Sequence, residues 1–323
     1  MIAALTVLVA CAVALPHVLT LDRAVPALAI ALWGSAVVLR ALAVAFLTMW
    51  LALYVPHTAG FDILTRWDVV IPLSATGLDV DGHRIGDMTT SLPTFLVGIT
   101  AVLMVGNVVR AAGGVQRELD REMLGSGPHG SVVIRGCDVL VAAAGLTRPR
   151  VVVSAGALAA LDDEELAASL AHERGHIVRR HRFLLAVCEV ARGIGRPLPG
   201  TRRAAAELRF HVERDADQWA VGHGHDACAL ASAICKAAMS RLGAGRADVA
   251  PLAALTGGGI SERVGQLLDG TAAASSSRPG SRPLRATAAV AITLTLCLTA
   301  LVPAAAVTGA QRLDAAAAVH HRD

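Results

Sequence analysis

The chain has 323 residues, 54% of them hydrophobic and 17% charged, and its mean hydropathy is positive. That is too apolar for an ordinary soluble enzyme of this length, so the surplus has to be assigned to membrane spans. The formal net charge of +3 does not point to nucleic acid, because the arginines are spread over helices and membrane flanks and are not interleaved with aromatic residues, which make up 3% of the chain.

Met1 to Leu19 is almost uninterrupted apolar sequence with no basic leader, which favours a retained span over a cleaved signal peptide. Residues 25–55 form a second run, longer than the roughly 20 residues a span needs, with Arg40 near its middle. A charge there is costly in lipid and has to face protein, snorkel or mark a break. Residues 92–109 give a third span, diluted by Gly98, Thr100 and Asn107, and residues 286–309 a fourth. Between the second and third spans Asp62, Asp68, Asp79, Asp81 and Asp87 outnumber Arg66 and Arg84, whereas most of the arginines lie between Arg110 and Arg285. The positive-inside rule therefore places the large loop in the cytoplasm of a multi-pass cell-membrane protein and both termini outside.

The expected layout is a membrane region over 1–110, a compact domain over 111–269, a flexible basic linker over 270–285, the fourth span over 286–309 and a short tail over 310–323. Short β-branched or apolar runs predict strands at Gly130–Ile134, Val139–Ala142 and Arg150–Ser154. Helical patterns follow from Glu164 to about Val190, from Thr201 to Val221, from Asp226 to Leu242, and from Ser261 to Leu268. The fold class is α+β: a mainly helical membrane protein with four transmembrane helices and a cytoplasmic domain holding a small β-sheet. The six cysteines contain no C-x-x-C pair and read as reduced core residues.

Chemistry concentrates in His172-Glu173-Arg174-Gly175-His176. Residues four apart share a helical face, so His172 and His176 can offer nitrogens to one Zn²⁺ per chain while Glu173 stands beside its open position as the general base. The acidic run Asp162-Asp163-Glu164-Glu165 precedes them as a helical first turn. Two histidines leave a zinc site short of a ligand. Glu213 and Asp217, again four apart, provide a third ligand and a carboxylate that accepts the free ring N–H of a ligating histidine. Of the remaining histidines, His223 and His225 are candidates to stabilise an oxyanion, though glycine-flanked loop residues are more often surface groups. His211, two residues before Glu213 on another face, reads the same way. His181, five residues after His176 and off the ligand face, reads as structural or surface. Gly175 sits mid-helix, where it either permits close packing or costs about 1 kcal/mol to no purpose.

Gly145 to Ser154, Leu161 to Leu166, His172 to His176, Arg179-Arg180-His181, Glu213 with Ala216-Asp217, and Ser261-Glu262-Arg263-Val264 resemble, in this order and spacing, the gluzincin membrane peptidases. That group includes the heat-shock peptidase HtpX, the CAAX prenyl proteases and the BlaR/MecR-type antibiotic-sensor peptidases. The resemblance runs from about Ser131 to Leu268 and implies a zinc endopeptidase with Glu213 as third ligand. Three spans before the domain and one after it resemble the BlaR/MecR-type arrangement, but residues 310–323 leave no room for a penicillin-binding sensor. β-Lactam sensing is therefore not carried over, and any signal falls to the Pro56–Ser91 loop, the spans or a partner protein. The expected partners are a protein or peptide substrate and the lipid bilayer. The substrate is a repressor by analogy with the sensors, or misfolded membrane protein by analogy with the heat-shock peptidases. A non-proteolytic scaffold with a structural zinc site is the competing reading, and the intact Glu173 weighs against it.

Overall fold

The computed structural model describes residues 13, 14, 16, 17, 25–54, 82–146, 149–243 and 259–270. Most of the expected first span, the acidic loop over 55–81, the linker beyond Gly270, the fourth span and the tail lie outside these residues.

Two long helices come first. Helix α1 (Pro26–Tyr54) carries proline at its first position, where the missing N–H costs nothing. Helix α2 (Gly82–Glu122) has 41 residues, or about 60 Å. Among the described residues these are the two helices long and apolar enough to cross a membrane, over Pro26–Ala52 and Ser91–Leu119. The third span was expected to stop at Val109; instead the helix continues through the polar turns to Glu122, because no proline interrupts it there.

The two helices bury their apolar surface differently. Along α2, Phe95 is 67% and Val102 72% exposed. In α1, Ala29, Trp33, Val37 and Ala41 are buried in a core shared with Cys188, Ala204, Leu208 and Val212 of the following domain. Arg40 is 2% exposed. Its guanidinium donates to Ala36 O at 3.0 Å and Pro199 O at 3.2 Å, and lies 2.8 Å from His17 Nε2. Of the ways to accommodate that charge, the chain uses the first, facing protein. Thr94 Oγ1 donates to Thr48 O at 2.8 Å, which joins the C-terminal part of α1 to the N-terminal part of α2.

A four-stranded mixed sheet follows: β1 (Met123–Ser126), β2 (Val132–Ile134), β3 (Val141–Ala144) and β4 (Arg150–Ser154), in the order β1-β2-β4-β3. Only β2 and β4 are parallel. Strand β1 was not expected, since Met-Leu-Gly-Ser has no β-branched residue, and it exists by pairing with β2. Strand β3 lies at the edge of the sheet, two residues later than expected.

Helices α3 (Ala155–Ala160), α4 (Asp163–Val178), α5 (His181–Ile194), α6 (Thr201–Gly222), α7 (Ala227–Gly243) and α8 (Ile260–Leu268) complete the domain. Asp162 and Glu165 close a reciprocal capping box at the start of α4. The single helix expected from Glu164 to Val190 is two: α4 ends at Val178, and α5 starts after Arg180, whose φ of 55° is left-handed. Helix α4 is central, packed on α6, α7 and the sheet, with Leu166 and Leu170 against Val151, Val153 and Ala233.

Candidate metal centre

His172 and His176 leave the same face of α4, both under 9% exposed, with their Nε2 atoms 3.1 Å apart. Helix α6 crosses this face at close range because of Gly175. A Cβ on that glycine would stand 3.3 Å from Trp219 Cβ and 3.4 Å from Ala216 Cα, so the glycine serves packing. The crossing delivers Glu213, whose Oε2 is 3.5 Å from His172 Nε2 and whose Oε1 is 3.6 Å from His176 Nε2.

A tetrahedral zinc with bonds of 2.0–2.2 Å has ligand-to-ligand edges of about 3.3 Å. The three separations of 3.1, 3.5 and 3.6 Å bracket that value, and the two imidazoles and one carboxylate are a donor set zinc accepts. The residues fit the ion.

Asp217, one turn beyond Glu213, places Oδ1 2.8 Å from His172 Nδ1, in an ion-pair approach rather than a well-aligned N–H···O bond. Arg263 from α8 grips both acids. Its Nη2 and Nε donate to the two oxygens of Asp217 at 2.7 and 2.8 Å, and its Nη1 lies 3.0 Å from Glu213 Oε2. Burial raises the carboxyls of Glu213 and Asp217, but the Arg263 guanidinium outweighs it and holds both well below the usual range. Burial also opposes charge on His172, yet Asp217 and Glu213 push it up to about 10. His176 goes the other way, down to about 3, through burial and the charge on His172.

Glu173 lines the cleft beside His172 and Glu213. Its Oε2 accepts the backbone N–H of Ala143, on edge strand β3, at 2.6 Å. Arg182 donates to the carbonyl of the same residue. Burial raises the Glu173 carboxyl, against the opposing charge of His172 and the Ala143 N–H. The cleft is a cavity of about 130 Å³, walled by Val139 and Val141 on one side and Leu230, Ala233 and Ile234 of α7 on another.

His172, Glu173, His176, Glu213 and Asp217 are thus brought together. His223 and His225 are not among the cleft-lining residues, and the His223 ring stacks on Trp219 with Nδ1 2.6 Å from Trp219 O. His211 is fully buried beside Arg214 rather than on the surface. Sequence reasoning gave no role to Arg263, although the segment around it stood out, and it put His181 off the ligand face. His181 is 3% exposed and contacts His176.

Residues 115–193 match the family model of peptidase family M48, whose members are zinc metallopeptidases. The matched stretch contains all four strands and the His172–His176 helix and supports a metallopeptidase hydrolase. No curated protein and no solved structure gives a significant match.

Proposed function

We propose that this chain is a multi-pass membrane zinc endopeptidase that cleaves protein or peptide substrates at the cytoplasmic face, in regulatory signalling or in membrane-protein quality control. The observation that carries the reading is the triangle of His172, His176 and Glu213 with Glu173 beside it in the same cleft. Zinc bound there supplies a Lewis acid for the scissile carbonyl and a water whose pKa falls to about 7.

Glu173, beside the three ligands, would act as the base that takes a proton from the attacking water and returns it to the leaving amine, and its raised pKa brings it nearer the working pH of a general base. Strand β3 is the sheet edge and Val141 lines the cleft, so an extended substrate segment can add there as a further strand, displacing the Glu173 and Arg182 bonds to the Ala143 backbone. Support for the membrane setting comes from the exposed apolar length of α2 and from Arg110, Arg117 and Arg121 after it, a basic flank expected on the cytoplasmic side.

The test is Glu173→Ala in the full chain, in membranes. Zinc is expected to stay bound while proteolysis, including self-cleavage, is lost by several orders of magnitude. Unchanged proteolysis ends the enzyme reading and leaves a structural zinc site. Glu213→Ala is expected to abolish tight zinc binding, and full retention removes Glu213 from the ligand set. Substrates held by the Glu173→Ala protein identify the natural target.

A further inference from the structure

The two ligand histidines are held by different devices. His172 Nδ1 faces the Asp217 carboxylate directly. His176 Nδ1 faces another imidazole: His181 Nδ1 stands 3.1 Å away, and His181 Nε2 is 3.1 Å from Asp215 Oδ2. His176, His181 and Asp215 are 8%, 3% and 5% exposed, and Arg179 Nη1 lies 3.7 Å from the same Asp215 oxygen.

Chemistry fixes the order of protons along this row. An imidazole that gives its Nε2 lone pair to a metal carries its proton on Nδ1 and can only donate there. The partner, His181, must accept at Nδ1. As a neutral ring it then carries its own proton on Nε2, which is where Asp215 waits as an acceptor. Each atom finds the complement it needs, and the opposite tautomer of His181 would set two N–H groups against each other.

The backbone is bent to make this contact. Residues five apart on a continuous helix do not share a face, and Arg180 breaks the helix in the left-handed region, at φ 55° and ψ 33°. A side-chain-bearing residue is strained there, and the surrounding structure has to hold it. The break starts α5 at His181 and sets its ring edge-on to His176, with centroids 5.1 Å apart.

We propose that His181 and Asp215 are positioning residues that fix the tautomer and ring orientation of the ligand His176, in parallel with the Asp217 and Arg263 pair behind His172. The proposal rests on zinc binding by His172, His176 and Glu213, and the experiment separates the two. Zinc affinity is measured by chelator competition on the full chain in detergent, and the visible spectrum of the Co²⁺-substituted protein reports ligand geometry. Wild-type protein that binds neither metal overturns the zinc reading itself.

If the wild type binds, His181→Phe, which keeps a ring but no nitrogen, is expected to weaken zinc about 10–100-fold and shift the Co²⁺ bands. Asp215→Asn, nearly isosteric, is expected to weaken zinc about 3-fold or more in the same direction, and Asp215→Glu to recover most of that loss. A purely structural role would lower the melting temperature of the metal-free variants and leave affinity and bands unchanged, and that outcome overturns the proposal. Should His181→Phe fail to fold, the Asp215 pair decides: equal affinity in Asp215→Asn and wild type refutes the relay.

Discussion

Without a metal, two imidazoles with Nε2 atoms 3.1 Å apart have room for one proton between them. His172, pushed up to about 10 by its carboxylate neighbours against the cost of burial, is the ring that keeps it. Zinc must displace that proton, so affinity is expected to rise about tenfold per pH unit from pH 7 towards 9, with one proton released per ion. Calorimetry in buffers of different ionisation enthalpy counts it; no proton released would contradict the shared-proton picture. The same shift acts on the metal-free fold with the opposite sign. A histidine raised from 6.5 contributes stability that is complete below pH 6.5 and is lost as pH climbs towards about 10, so the metal-free melting temperature is expected to fall over that range. At this scale the closeness of His172 to His176 was legible because i, i+4 spacing reports a shared face wherever the helix is unbroken. His181 was illegible for the same reason: the spacing argument assumes a continuous helix, and Arg180 ends it with neither glycine nor proline to announce the break.

Helix α4 is anchored at its start by a residue that capping rules find and capping alone undervalues. Glu165 returns its Oε2 to the Asp162 backbone N–H at 2.9 Å, as the acidic first turn suggested. It also takes bonds from Lys236 Nζ and Ser232 Oγ on α7, both at 2.6 Å, and is 4% exposed. The box was visible in sequence because it is local; the tie to α7 was not, since nothing in a single chain pairs residues about seventy positions apart. Glu165→Ala removes the cap and takes an acceptor from Ser232, while Lys236 keeps Ala160 O and solvent, so a loss of about 1–3 kcal/mol is expected in denaturant unfolding. A loss below 1 kcal/mol would mean that the cap is all Glu165 contributes. Burial raises its carboxyl, but the Lys236 and Ser232 donors override that and leave it below the ordinary value of 4.5. Its contribution is therefore present above about pH 4.5 and drains away as the pH falls below it.

For the whole molecule, hydropathy predicted four spans, of which the described residues contain two as long apolar helices, and it could not say what each is buried against. Trp33 and Val37 of α1 are as apolar as anything in α2, yet they lie in the core with Leu208 and Val212 of the Glu213 helix. Arg40 was the one sequence hint, since a buried guanidinium needs protein acceptors, and Pro199 and Ala36 supply them. Among the described residues helix α2 touches α1 and α5, yet none of its apolar stretch is buried, and the energetics of the two solvents differ in sign there. In water, Val102→Arg replaces an exposed apolar side chain with a solvated one and should leave stability within about 0.5 kcal/mol or improve solubility. In lipid the same change costs about 2.5–3.5 kcal/mol near the middle of a span, so the variant is expected to insert poorly and to fall in the membrane fraction by an order of magnitude or more. Val37→Arg should fail in either solvent, because its surroundings are protein. Equal membrane recovery of Val102→Arg and wild type would show that α2 covers its apolar face with protein instead of lipid.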